Sequence, residues 1–343
     1  MKTAAILGAS GYTGAEMIRL VLGHPELNLV ALTGHSRAGQ AARDVHPGLR
    51  GYDLPDVVAT GDVDWTDIDV AFACLPHGAS EETVARILPD VGTVIDLSAD
   101  FRLRDADLYE RTYGREHSNP DLLHDAVYGL SEWARDDLPG ARLVACPGCY
   151  PTCALTGLLP LLESGLIGPD IRIGALTGVT GAGRKALEAF SFSELHDSAH
   201  AYGLAGHRHA PEMDQMLERH SDHEVTVSFV PHIVPMNRGM VTTSFVELSG
   251  STVADLREAL EARYADAPFV QVLEPGLAPR TRDVRGSNLC RVNVFADRQP
   301  GRAIVVSAID NLAKGSSGQA LQNYNLTQGW DETLGLRMAP LFP

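Results

Sequence analysis

Residues Thr3-Ala4-Ala5-Ile6-Leu7 run directly into Gly8-Ala9-Ser10-Gly11-Tyr12-Thr13-Gly14, and a helical pattern follows over residues 15–22. An apolar run, a GxxGxxG turn and a helix in that order predict a βα unit whose turn cradles a pyrophosphate. Glycine is required because the tight turn needs unusual dihedrals, and because a side chain would hold the backbone away from phosphate oxygens at the helix N-terminus. A second apolar run at 27–32 completes the βαβ pattern that a lone glycine motif lacks.

Further apolar runs at 70–75, 93–97 and 142–145 are continuous, not alternating, with helical patterns such as 80–88 between several of them. Parallel strands buried on both faces read this way. The order predicts an α/β fold: a Rossmann-type doubly wound parallel sheet over residues 1–148. Beyond it the texture changes to a helix at 151–164, strands at 171–177, 225–234 and 241–248, a helix at 253–264, and strands at 289–296 and 303–310. That grouping predicts an α+β domain with a mixed or antiparallel sheet over 149–314. The segment 315–343, helical at 316–325, is expected to pack back on the first domain. A length of 343 residues accommodates two such cores.

Composition narrows the partners. Apolar residues at 44% and charged residues at 21% exclude disordered, collagen-like and coiled-coil chains. No run approaches the roughly 18 apolar residues of a membrane span, and Met1–Leu7 turns into glycines too early for a signal sequence, so the cytoplasm is expected. The formal charge of −16 disfavours nucleic acid and anionic lipid surfaces. An anionic substrate or cofactor must therefore meet locally gathered cations, and the chain has only three lysines, Lys2, Lys185 and Lys314.

The end of the second strand bears on the cofactor. An NAD site expects a carboxylate about 20 residues beyond the glycines to hold the ribose 2′-hydroxyl. Here stands Thr33-Gly34-His35-Ser36-Arg37, with no acidic residue before Asp44. The hydroxyl of Ser36 and the guanidinium of Arg37 suit a 2′-phosphate, which predicts NADPH.

Cys146-Pro147-Gly148-Cys149-Tyr150-Pro151-Thr152 admits three readings: a redox pair, half a zinc site, or one nucleophile on a strand-to-helix turn. No second CxxC exists for zinc, and the motif follows a fifth strand of a nucleotide-binding pattern. Cys149 just before Pro151 would sit at the positive end of a helix, which favours thiolate. Cys153, among Ala154, Leu155, Leu158 and Leu159, reads as an inert core thiol.

Four histidines fall within fourteen residues, His196, His200, His207 and His209. Their spacing is acceptable for zinc, but no metal is expected. The competing reading makes His207-Arg208-His209-Ala210-Pro211-Glu212 a turn opening a helix, with one histidine as acid/base for Cys149 and Glu212 orienting it. Anion contacts are expected in 178–185, which holds Gly181, Gly183, Arg184 and Lys185, in 231–239 with Arg238, in 282–288 with Ser287 and Asn288, and in 310–316 with Lys314.

Together, Gly8–Gly14, Leu75-Pro76-His77-Gly78, Asp96-Leu97-Ser98-Ala99-Asp100-Phe101-Arg102, Pro147–Thr152 and Gly206–Glu212 resemble the N-acetyl-γ-glutamyl-phosphate reductase family over nearly the whole chain. The resemblance implies NADPH-dependent reductive dephosphorylation of an acyl phosphate to an aldehyde, in a homodimer or homotetramer. Its fold is similar to that of aspartate-semialdehyde and glyceraldehyde-3-phosphate dehydrogenases. It implies Cys149 as nucleophile, His209 or His207 as acid/base, and Leu75, Pro76, His77, Ser98, Gly181, Gly183 and Lys314 beside the glycine turn at the cofactor. It also implies Arg102, Arg184, Arg238, Ser287 and Asn288 at the substrate. Cys146 stands where the family commonly has Asn, and Cys153 where it has Gly or Ala. An aspartate-semialdehyde dehydrogenase-like enzyme and a non-catalytic NADPH sensor are the alternatives.

Overall fold

The computed structural model describes residues 1–184, 188–204 and 206–342. The chain divides into two compact units, residues 1–147 with 316–337, and residues 148–315 with 338–343. The first is built on seven strands: β1 (Lys2–Leu7), β2 (Leu27–Thr33), β3 (Val57–Val58), β4 (Val70–Ala73), β5 (Thr93–Asp96), β6 (Val127–Tyr128) and β7 (Leu143–Ala145). They lie in the order β3-β2-β1-β4-β5-β7-β6, all parallel. Ala4 to Leu7 of β1 and every residue of β4 are buried, as a sheet covered on both faces requires. The order reverses beside β1, between β2 and β4, and the carboxyl ends of β1 and β4 carry Gly8 and Cys74.

The terminal segment is helical over Gly318–Thr327, and residues 338–343 cluster with the second unit instead of following that helix. This helix is rich in amides yet almost wholly buried in the first unit. Hydrogen bonds make that tolerable. Ser131 Oγ donates to Asn323 Oδ1 at 2.6 Å, Asn323 Nδ2 donates to Gly129 O at 2.7 Å, and Ser317 Oγ just ahead of the helix donates to Thr13 O at 3.0 Å.

The second unit holds β8 (Arg172–Thr177), β9 (His200–Ala201), β10 (Ser228–Ile233), β11 (Met240–Glu247), β12 (Val270–Val272), β13 (Cys290–Ala296) and β14 (Arg302–Ile309). Their order is β12-β13-β14-β11-β8-β10-β9. The β10–β8 and β12–β13 pairs are parallel and the others antiparallel, giving the mixed sheet. The Cys149–Glu163 helix packs on β11, β13 and β14. A methyl on Gly157 would stand 2.7 Å from Ser307 Oγ, so this glycine sets how closely the helix approaches β14. Along β11 the residues alternate, with Met240, Thr242, Ser244 and Val246 inward and Phe245 exposed on the opposite face.

Candidate active site

The Cys149–Glu163 helix begins without a side-chain cap: Gly148 is its N-cap in extended conformation, and Pro151 lies in its first turn. What replaces the cap comes from a second helix start. His209 is the N-cap of the Ala210–Arg219 helix, whose opening Pro211 presets the backbone, and Glu212 lies in its first turn. The Gly148 N–H donates to Glu212 Oε1 at 2.8 Å, and Glu212 is fully buried. On its other side Gly148 faces the His209 imidazole: a methyl there would lie 2.5 Å from Nε2 and 2.8 Å from Cε1. One turn of chain thus holds the residue preceding Cys149 from two directions. Cys149 itself is partly exposed, and a methyl on Gly315 would come within 2.9 Å of its Cβ. Gly315 belongs to a π-helical turn, Ala313–Ser317, a local irregularity that recurs at functional sites.

His207 supports His209 and is packed away. Its Nδ1 accepts the His209 N–H at 3.2 Å, and its ring meets Tyr150 and Tyr202, each with centroids 5.5 Å away, and Phe229 at 5.3 Å. Burial, reinforced by the Arg208 charge, pulls its pKa down to about 4. Near neutral pH its imidazole is therefore neutral, with Nδ1 taken up by the His209 backbone. The Tyr150 and Tyr202 hydroxyls are 2.9 Å apart. Burial raises both phenols, Tyr202 to about 12, so both stay protonated.

The expected anion loops are tied together in the same unit. A methyl on Gly178 would stand 2.7 Å from Asn237 O, Thr180 Oγ1 donates to Asn237 O, and Asn311 bridges Thr180 Oγ1 and the Gly239 N–H. Gly181, Gly183 and Arg184 are exposed at the turn; Lys185 lies outside the described residues. Arg238 is partly exposed and pairs with Asp310 at 3.4 Å. Ser287 and Asn288 are buried, the Ser287 hydroxyl donating to Val284 O, so they build the loop from inside. Lys314 is also buried, its Nζ 5.9 Å from the Phe269 ring centroid. His196 and His200 are exposed, and among the described residues no three metal-ligating side chains converge.

In the first unit the glycine turn has the form a dinucleotide needs. Gly8 has φ +69°, and a methyl on it would stand 2.3 Å from Cys74 O; one on Gly14 would stand 2.5 Å from Gly8 O. Gly11 caps the Tyr12–Leu22 helix with no side chain, and no acidic residue occupies the first turn. Ser10 and Arg37 flank Gly34: a methyl there would be 4.0 Å from Ser10 Oγ and 3.8 Å from Arg37 Cβ. Arg37 is exposed, and its Nη1 donates to Gln40 Oε1 at 3.3 Å. Ser36, Tyr12 and Pro76 are exposed, and Leu75 and Thr13 are partly so or exposed at the same end of the sheet.

The loop after β4 is organised by Asp100. His77 Nδ1 lies 2.6 Å from its carboxylate, which also accepts the Gly78 and Ser80 N–H groups. Burial alone would raise this carboxyl, but those donors hold it below its usual range. Ser98 turns inward: its hydroxyl donates to Asp96 at 2.7 Å and accepts the Asp100 N–H, so it braces the loop instead of facing solvent. Burial lifts Asp96 to about 6 despite the Ser80 and Ser98 hydroxyls. Arg102, expected at the substrate, donates Nε to Cys146 O at 2.8 Å and Nη2 to Leu97 O, fixing backbone ahead of the second unit in the sequence.

Residues 3–141 match the family model described as semialdehyde dehydrogenase, NAD binding domain, and residues 149–311 match semialdehyde dehydrogenase, dimerisation domain. A probable N-acetyl-gamma-glutamyl-phosphate reductase, chloroplastic, of Arabidopsis thaliana is 49% identical over 98% of this chain and 84% of its own length. The N-acetyl-gamma-glutamyl-phosphate reductase of Rhodospirillum rubrum is 49% identical over 99% of this chain and 98% of its own. Among solved structures, aspartate semialdehyde dehydrogenase II from Vibrio cholerae superposes with a TM-score of 0.71 at 17% identity, over 95% of this chain and 98% of that one. Aspartate semialdehyde dehydrogenase with NADP from Candida albicans gives 0.69 at 18% over the same shares. The likeness to these structures is one of fold, and the two relatives at 49% identity decide between branches of it: the chain belongs to the N-acetyl-γ-glutamyl-phosphate reductase family.

Proposed function

We infer that this chain is an NADPH-dependent oxidoreductase converting N-acetyl-L-glutamyl 5-phosphate to N-acetyl-L-glutamate 5-semialdehyde and phosphate, a step of arginine biosynthesis. The observation that carries the chemistry is the His209 ring on Gly148, immediately before a cysteine in the first turn of an uncapped helix.

The helix N-terminus favours negative charge on sulfur, and His209, whose ring lies against the preceding residue Gly148, takes the thiol proton. Cys149 attacks the acyl-phosphate carbonyl, the carbon–oxygen bond to phosphate breaks, and a thioester remains on Cys149. The N–H groups of Cys149 and Tyr150, in the first turn of a helix without a side-chain cap, would stabilise the developing oxyanion; Pro151 has none to offer. Bound NADPH supplies the hydride that reduces the thioester. His209 protonates the alkoxide and takes that proton back as the carbon–sulfur bond of the thiohemiacetal breaks, which releases the aldehyde and the Cys149 thiolate. Glu212 holds Gly148, and His207 holds the His209 backbone.

Gly8, Ser10, Gly11, Tyr12, Thr13 and Gly14 would hold the pyrophosphate, Ser36 and Arg37 the 2′-phosphate, and Leu75, Pro76 and His77 the nicotinamide half. Glycines where a methyl would clash, at the mouth of an uncapped helix, fit that group. Arg238 and Arg184 are the cations for the substrate's anionic groups. The dimerisation-domain match and the outer face of the second sheet, where Leu176 and Phe245 are exposed, support self-association as a dimer or tetramer. No helix among the described residues is long and apolar enough to cross a membrane, and none of the five cysteines forms a disulfide, which supports a cytoplasmic setting.

The test runs the reaction backwards with phosphate and NADP⁺, offering N-acetylglutamate 5-semialdehyde or aspartate semialdehyde. Preference for the first supports the assignment; preference for the second moves the enzyme to the aspartyl branch, and no turnover with either removes the catalytic reading.

A further inference from the structure

Asp310 lies at the end of β14, fully buried, and belongs to none of the groups assigned a chemical role above. It nevertheless collects three separate segments. Oδ1 accepts the N–H groups of Leu312 at 2.8 Å and Ala313 at 3.0 Å. Oδ2 accepts the Gly286 N–H at 2.6 Å and lies 3.4 Å from Arg238 Nη1. Its main-chain carbonyl accepts the Gly315 N–H at 2.9 Å, and Gly315 is the residue that abuts Cys149 Cβ. A single residue therefore sets both the turn behind the nucleophile and the Arg238 guanidinium. A buried carboxylate costs several kcal/mol unless such donors surround it, so its arrangement is strongly determined.

We propose that Asp310 is a positioning residue that fixes Arg238 for the substrate's anionic group and seats the 312–315 turn against Cys149. The proposal rests on Arg238 as a substrate contact. Its two oxygens separate the two tasks. In Asp310→Asn the amide oxygen can still accept from Leu312 and Ala313, while the NH₂ group faces two donors, Gly286 N–H and the guanidinium. The turn is retained and Arg238 loses its Asp310 partner.

Losing one charge-assisted contact that substrate and transition state share raises KM for the acyl phosphate about tenfold, leaving kcat and the NADPH Kd within about twofold. Arg238→Ala raises the same KM, and adding Asp310→Asn to it changes KM no further. Asp310→Glu, which keeps the charge but displaces the guanidinium, is the second variant should Asp310→Asn not be recovered folded; it also raises KM. A wild-type KM in the Asp310 variants, with KM raised in Arg238→Ala, overturns the role of Asp310 and leaves the Arg238 contact standing. An unchanged KM in Arg238→Ala removes that contact and the proposal with it. In Asp310→Asn, where the turn is retained, reduced kcat at wild-type KM shows that the side chain does not act through Arg238 and also overturns it.

Discussion

The His209 imidazole rests on the Cα of Gly148 so closely that a methyl group there would stand 2.5 Å from its Nε2. The atom in the way is the tip of a side chain, so Gly148→Ala is accommodated by moving the ring, not the backbone. The folding cost is then about 1 kcal/mol or less, while a general base displaced by an ångström costs about 100-fold in rate. We expect Gly148→Ala to keep a near wild-type melting temperature and NADPH affinity and to lose about two orders of magnitude in kcat/KM. Unaltered turnover would separate His209 from the chemistry.

Cys149 differs from the other thiols in its surroundings. Cys146 and Cys153 are buried and pushed up to about 12, Cys153 lying 3.4 Å from Thr242 Oγ1 and Cys146 3.6 Å from Asn323 Nδ2. Cys74 is raised further, by burial and the nearby Cys146 and Asp96, and Cys290 is fully buried. Brief iodoacetamide treatment followed by peptide mass spectrometry should modify Cys149 alone. Cys149→Ser should lower turnover by at least about 1000-fold while NADPH still binds. A serine variant of near wild-type rate would dismiss the covalent step.

Much of this was legible because chemistry and backbone need coincide in the sequence. Gly8 and Gly14 are glycines because Cys74 O and Gly8 O leave no room for Cβ, and the same close approach serves a phosphate. The apolar runs of β1, β4 and β5 are continuous because both faces are covered. What pattern reading misses is polarity turned inward. Asn323 and the other amides of the Gly318–Thr327 helix look like surface and are core, satisfied by partners such as Ser131 and Gly129 that are distant in sequence. Ser98 and Arg102 carry polar groups suited to ligands, but Asp96 and the Cys146 carbonyl claim them. The two-residue strands β3, β6 and β9 have no periodicity to detect, and nothing in the spacing of the 310–316 stretch marks Asp310 as a buried residue.

The depressed His207 pKa makes a statement about acid stability. Folded His207 releases its proton near pH 4, whereas the unfolded side chain does so near 6.5, so the unfolded state binds more protons between those values. The native state keeps its full stability above about pH 6.5 and loses this contribution as pH falls toward 4. His24 and His117, also lowered by burial, act in the same sense. In His207→Asn the amide oxygen can accept the His209 N–H without titrating. We expect its melting temperature to fall less than that of the wild type between pH 7 and pH 5. An equal fall would show that His207 is not among the groups responsible.

Arg37 is exposed at the end of β2, beside a glycine turn with no carboxylate to claim a 2′-hydroxyl. A guanidinium meeting a phosphate dianion makes a charge-assisted contact worth about 1.5–3 kcal/mol, or roughly 10- to 100-fold in affinity. NADH offers a hydroxyl in place of that phosphate and gains nothing from the cation. Arg37→Ala should therefore raise the KM for NADPH by that factor, leave the KM for NADH close to its starting value, and leave kcat with saturating NADPH unchanged. Its effect should shrink as salt rises, because an exposed pair is screened over about 8 Å at physiological ionic strength. Initial rates with both nucleotides across a salt series measure each of these quantities, and an unchanged NADPH/NADH ratio would assign the discrimination to other groups on this loop, with Ser36 the first to replace.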